Sequence, residues 1–371
     1  MDSAAAFFNA VTSGSHDLVR TMLRENPPLA SVYNSRSFGA TPLIHAAGVG
    51  DRAMIDILID AGADPNQRSD WWAGGFGPLD DGNDETADHL LRRGAILTPH
   101  AAARLGRIDD LRRLINLDPR AVYLRGGDGQ LPLHFSKTPE IAEFLLACGA
   151  EIDALDLDHE GTAAQWCLPE RPNVTEYLVM RGSRFDPFMA AAIGDLNLME
   201  RAVAGEDDGV RVRITRSRFP TSEKAAGHIY LFTIGENCTP LHAAAGADQA
   251  AAVRWLAAKG ADVNARGGYD DQTPLHAAAW RNCPAAAAAL LDAGADINIV
   301  SGSLHDNEPV GWAILSGAVE TVRLLISRGC RVRNVHHVDA QCGAKGQWRC
   351  LNRRLPLEAW REIEREIAAA M

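Results

Sequence analysis

The chain has 371 residues, 46% of them hydrophobic, with 48 acidic against 37 basic side chains and a formal net charge of −11. It lacks the basic face that would offset a row of phosphates, which excludes nucleic acid as a partner, and no run approaches the length of a membrane span. The opening Met1-Asp2-Ser3-Ala4-Ala5-Ala6-Phe7-Phe8 has neither the basic start nor the long apolar run of a secretory signal, and the seven cysteines are scattered without a paired framework, so a reducing, cytoplasmic setting is expected.

Along the chain, one pattern returns. It is ragged at Ala6-Phe7-Phe8-Asn9-Ala10 and well formed from Thr41-Pro42-Leu43-Ile44 to the closing Gly62-Ala63-Asp64-Pro65-Asn66. Weaker openings follow at Gly77-Pro78-Leu79, Leu97-Thr98-Pro99-His100, Leu131-Pro132-Leu133-His134 and Thr162-Ala163-Ala164-Gln165, with Asp186-Pro187-Phe188 in the middle. The fullest copies are Thr239-Pro240-Leu241-His242 and Thr273-Pro274-Leu275-His276, 34 residues apart, closing at Gly260-Ala261-Asp262 and Gly294-Ala295-Asp296. Proline in a first helical turn gives up no hydrogen bond, threonine before it can cap free N–H groups, and the closing glycine supplies a left-handed residue. A last opening stands at Glu308-Pro309-Val310-Gly311. Beyond residue 335 an amphipathic helix from Pro356, with Leu357, Trp360, Ile363 and Ile367 on one face, is expected to cap the array.

A period of this length carrying Thr-Pro-Leu-His resembles the ankyrin repeat family, in a long multi-repeat array of the bacterial type. The resemblance implies an all-α repeat solenoid of about ten helix-turn-helix repeats with finger turns. The array would occupy residues 1–335, and a capping segment 336–371. It also implies that His134, His242 and His276 tie one repeat to the next, that inner helices line a concave face, and that the function is protein–protein interaction through that face and the fingers. No cofactor and no metal are expected. Cys330, His336, His337, Cys342 and Cys350 match no known zinc spacing.

Three departures from the pattern draw attention. The interval from opening to closing glycine is 21 residues in the regular repeats but 18 from Leu131 to Gly149 and 17 from Gly77 to Gly94, so two inner helices should lose about a turn and notch the groove into a hollow; ordinary repeat decay is the alternative. An insertion at about 206–236 contains Val210-Arg211-Val212-Arg213-Ile214 and the looser alternation His228–Ile234, which predict a β-hairpin. Its Arg211, Arg213, Arg216, Arg218 and Lys224 form either a solvated face or an anchor for a carboxylate or phosphate.

The fingertips are the third departure. Trp71, Trp72, Asp158, His228, Tyr230, Tyr269, His305 and Asp306, with Trp280 and Arg281 on an inner helix, stand where the family varies its ligand contacts. The leading expectation is a protein partner. The alternative is an enzyme or receptor for a small polar ligand such as a sugar or polyol, with His159, Glu160 and Asp128 as acid–base groups and tryptophan faces holding a ring. Each of these residues also has an ordinary role as a solvated or turn-forming group.

Overall fold

The computed structural model describes residues 3–35, 37–204, 209–302, 307–344 and 357–371. Two compact units divide the chain. The first comprises Met1–Cys167, Asn173–Ser183 and Ser222–Ala226; the second comprises Leu168–Pro172, Arg184–Thr221 and Gly227–Met371.

The first unit is a stack of short antiparallel helices. Ser3–Thr12 pairs with His16–Glu25, Pro42–Val49 with Arg52–Asp60, and Pro99–Leu105 with Ile108–Leu117. Each helix buries one apolar stripe against its neighbours, so Phe7, Leu43, Met54, Leu58, Leu90 and Leu105 join one continuous core. Thr41 and Thr98 start their helices by accepting N–H bonds from Ile44 and Ala101 at 3.3 and 3.1 Å.

Both shortened repeats lie in this unit. Between Gly77 and Asn83 no helix forms, and the outer helix Asp84–Arg92 stands without an inner partner. In the other, the inner helix is reduced to the 3₁₀ turn Pro132–Phe135 before Pro139–Ala147. Side chains reach into the space left by the missing turns. The Arg104 guanidinium, from the next inner helix, donates to the carbonyls of Leu79, Asp81 and Gly82 that a helix would have satisfied. Lys137 likewise reaches Leu105 O at 3.3 Å and Asp84 Oδ2 at 3.2 Å.

The second unit stacks Pro187–Ile193 with Leu196–Ala204, Pro240–Gly246 with Ala250–Ala258, Pro274–Trp280 with Pro284–Asp292, and Pro309–Ser316 with Val319–Ser327. Its core runs through Leu241, Leu256, Leu275, Leu290, Val310, Ile314, Leu325, Trp360 and Ile363. The closing glycines hold left-handed backbone, with φ 87° at Gly260 and 92° at Gly294. The segment set apart as a cap enters at Asn334: helices Asn334–Ala344 and Leu357–Ala370 form a further pair in the same core. Pro356 and the Leu357 side chain lie outside the described residues, as does Cys350.

The histidines of the tetrapeptides do what the resemblance implies. Thr239 N–H donates to His242 Nδ1 at 3.1 Å, while His242 Nε2 lies 3.1 Å from Gln272 O in the next finger. His276 repeats this with Thr273 N–H and Asn307 O, at 3.2 and 3.1 Å. His134 does so in the first unit with Leu131 N–H and Gly161 O, both at 3.2 Å. Burial pushes all three imidazoles down to about 4, so they are neutral. His336 repeats the first of these bonds in the last pair: Arg333 N–H donates to its Nδ1 at 3.1 Å, while its Nε2 lies 3.2 Å from the side-chain oxygen of Asn307 in the preceding finger and its ring is fully buried.

No strand forms among the described residues; the β features are single bridges at fingers, Asn34 with Ala40, Leu155 with Thr162, and Gly267 with Gln272. The hairpin expected at 206–236 is therefore corrected. Val210, Val212 and Ile214 do face inward while Arg211 points out, as alternation requires, but Gly209–Arg211 is a short 3₁₀ turn and only Ile214 exchanges backbone bonds with Asn237 and Cys238. His228, Ile229 and Tyr230 are consecutively buried, which breaks the alternation of a strand with one face in water, and Leu231–Gly235 closes as a single π turn.

Candidate functional site

In the first unit, two successive fingers bring carboxylates and an imidazole together. Asp128 sits at a tip in left-handed backbone, φ 54°, and its carbonyl accepts N–H bonds from Leu157 and Asp158 at 2.8 and 3.2 Å. The second finger is shaped by Asp156, whose carboxylate accepts the N–H groups of His159 and Gly161 and the Trp166 indole N–H at 2.6, 2.7 and 2.8 Å. Those bonds hold the His159 ring 5.4 Å from Trp166 and aim Nε2 between two carboxylates, 3.9 Å from Asp128 Oδ2 and 3.8 Å from Asp158 Oδ2.

Asp128 and Asp158 expose only 7% and 2% of their surface. Burial pushes the Asp128 carboxyl up to about 6; the His159 ring opposes that shift, Asp158 and Asp156 add to it, and the nearby Trp71 indole N–H opposes it. That indole nitrogen is itself buried without a hydrogen bond of acceptable geometry. Trp71 is held edge-on to Phe38, ring centroids 5.0 Å apart.

Glu160, paired with His159 in the acid–base alternative, is placed differently. It accepts the Ser222 backbone N–H at 2.8 Å and, with the half-exposed Trp72, Arg125 and Lys224, lines an open groove of about 690 Å³. Asp128 and Asp158 face the His159 imidazole. Asp158 also accepts the Ala226 N–H at its Oδ1, 3.1 Å away, so the inserted segment 222–226 is clasped by this finger.

In the second unit, His228 and Tyr230 belong to the interior rather than to a ligand surface. His228 stacks on Phe219 with centroids 4.5 Å apart, and the fully buried Tyr230 donates its hydroxyl hydrogen to Asp186 Oδ2 at 2.8 Å. Two aromatic rings cannot leave such a cluster without opening a cavity. Arg211 and Arg213 of the basic spot donate to main-chain carbonyls, Arg211 to Gly260 and Arg213 to Asn237 and Arg266, at 2.7–3.2 Å. His305 and Asp306 lie outside the described residues.

Tyr269, Trp280 and Arg281 do share a cavity. It measures about 500 Å³ and has the π turn Leu231–Gly235 as one wall, with Arg216, Glu236 and Gln272 around it. Thr233, Ile234, Gln272, Ala277 and Arg281 also line a neighbouring cavity of about 430 Å³. Arg281 donates to Thr233 O at 3.4 Å and so braces the turn against the inner helix. Tyr269 is 83% exposed, Phe232 60% and Trp280 38%, the last edge-on to Trp312 at 5.4 Å. Sequence reasoning named the aromatics and Arg281. It missed Phe232 as an exposed anchor, because the turn that presents it was read as a strand.

A family model described as "Ankyrin repeats (3 copies)" matches residues 187–301, and one described as "Ankyrin repeat" matches 38–70. The rat (Rattus norvegicus) "Ankyrin repeat and SAM domain-containing protein 6" is 31% identical over 96 residues, which span 25% of this chain and 11% of that protein. The crystal structure of the human ASB11 ankyrin repeat domain is 21% identical and aligns with a TM-score of 0.38, covering 63% of this chain and 98% of that one. Both family matches begin and end around the helix pairs and fingers described above, and the imidazole ties recur where the tetrapeptide does; residues 38–70 and 187–301 of the chain are ankyrin repeats.

Proposed function

We propose that the chain is a binding module that holds a segment of a protein partner at the cavity of the second unit formed by Tyr269, Trp280, Arg281 and the turn Leu231–Gly235. Ankyrin repeats are generally protein-interaction modules, and the observation that carries this placement is the exposure of Tyr269, Phe232 and Trp280 around one cavity. Large aromatic faces left in water are unfavourable singly and are the usual anchors of an interface when clustered. The partner segment inserts an apolar side chain between Tyr269 and Trp280, while polar groups of Gln272 and Glu236 meet its backbone. A reducing compartment suits the chain's seven cysteines, which are scattered without a paired framework.

The test is selection of displayed peptides against the full chain. Peptides carrying an aromatic or branched apolar residue should be enriched, and each should bind Trp280→Ala at least about tenfold more weakly, the loss of one modest anchor. Equal binding by wild type and the Trp280→Ala and Tyr269→Ala variants would remove this surface from consideration.

A further inference from the structure

The fingertip cluster of the first unit has a chemistry of its own. We infer that Asp128, Asp158 and His159 bind a divalent transition-metal ion. One ligand atom from each falls within 4.8 Å of the others, and His159 Nε2 stands 3.9 Å from Asp128 Oδ2 and 3.8 Å from Asp158 Oδ2. Three atoms within 4.8 Å of one another have a centre no more than about 2.8 Å from each, and a contraction of several tenths of an ångström reaches Zn–N and Zn–O bonds of about 2.0–2.2 Å. The imidazole selects the class of ion, since calcium and magnesium favour all-oxygen shells.

The surroundings of Asp128 point to a ligand here. The Asp128 side chain is only 11% exposed, and the donors that face its carboxylate are a Trp71 indole out of hydrogen-bonding geometry and an imidazole nitrogen 3.9 Å away, too long for a hydrogen bond. A buried carboxylate so poorly compensated is unfavourable beside a second one, and a dication removes the repulsion. The Trp71 N–H is an orphaned buried donor beside the same carboxylate, and a water or anion on the metal would accept its hydrogen bond.

The support around the ligands is already in place. Asp158 keeps Oδ1 on the Ala226 N–H, and Asp156 fixes the His159 backbone without competing for the ion, as its oxygens are taken by three N–H donors. Three protein ligands leave at least one position open for water or for a group on a partner.

The full chain is titrated with Zn²⁺ against a chromophoric chelator, and with Co²⁺ while the visible d–d absorption is followed. One high-affinity equivalent is expected. Asp128→Asn, which keeps size and shape, and His159→Ala should each weaken it at least about tenfold and abolish the Co²⁺ band, with the helical circular dichroism unchanged. No saturable equivalent in the wild type overturns the inference. So does a Zn²⁺ affinity and Co²⁺ spectrum retained in both variants, which would assign the ion to other cysteine or histidine residues.

Discussion

Arg104 shows how one side chain repairs a deletion. Removing a turn from the repeat after Gly77 strands the carbonyls of Leu79, Asp81 and Gly82, and a planar guanidinium offers enough N–H groups to meet all three at once. Replacing it by methionine keeps the apolar stem and removes the donors. Each buried acceptor left unpaired is worth about 1–3 kcal/mol, less where water reaches it, so Arg104→Met should lower unfolding free energy by about 2–3 kcal/mol in urea titration. A change below about 0.5 kcal/mol would mean that water satisfies those carbonyls equally well. At the same scale, the choice between Asp158 and Glu160 as partner of His159 was not legible. Both residues flank the ring in sequence, and the N–H groups that Asp156 collects, together with the clasp on Ala226 and Ser222, decide which carboxylate faces it.

At the scale of elements, the insertion is the instructive case. Alternation placed Val210, Val212 and Ile214 inside, yet a strand needs a neighbour, and the segment meets side chains and carbonyls instead of a ladder. Further on, Tyr230 is drawn inward by Asp186 and by the rings of Phe188 and Phe219, and that packing overrides period two. The resulting turn ends at Gly235, φ 121°, where an added Cβ would stand 2.7 Å from Gly268 Cα. Gly235→Ala should therefore cost about 1–3 kcal/mol and displace the wall of the aromatic cavity. Thermal unfolding and affinity for the selected peptides should fall together, and an unchanged affinity would show that the turn is not part of the binding surface.

Over the whole molecule, the repeated buried imidazoles set a pH dependence. His134, His242 and His276 sit at about 4 in the folded chain against 6.5 for the free side chain. The unfolded chain therefore binds the protons first. Their contribution is intact above pH 6.5 and is lost as pH falls from there toward 4, by up to about 1.4 kcal/mol per pH unit for each histidine. Urea unfolding between pH 7.5 and 5 should show this slope, and His242→Asn should reduce it by one histidine's share. A wild-type stability flat over that range would contradict neutral, buried ties.

What the sequence by itself determined is local and periodic. The tetrapeptide, the closing glycine and their spacing specify helix starts, helix ends and the imidazole ties, because each depends on residues close in the chain or one repeat away. The shortened inner helices at Gly77 and Leu131 were legible for the same reason. Tertiary structure decided what filled the space they left, which fingertip groups meet, and whether His228 and Tyr230 face solvent or core. Those outcomes turn on donors and rings supplied from distant segments, such as Arg104 for orphaned carbonyls, Ala226 for Asp158 and Asp186 for Tyr230. A buried polar group takes whichever partner the packing brings to it, and one-dimensional spacing does not record that choice.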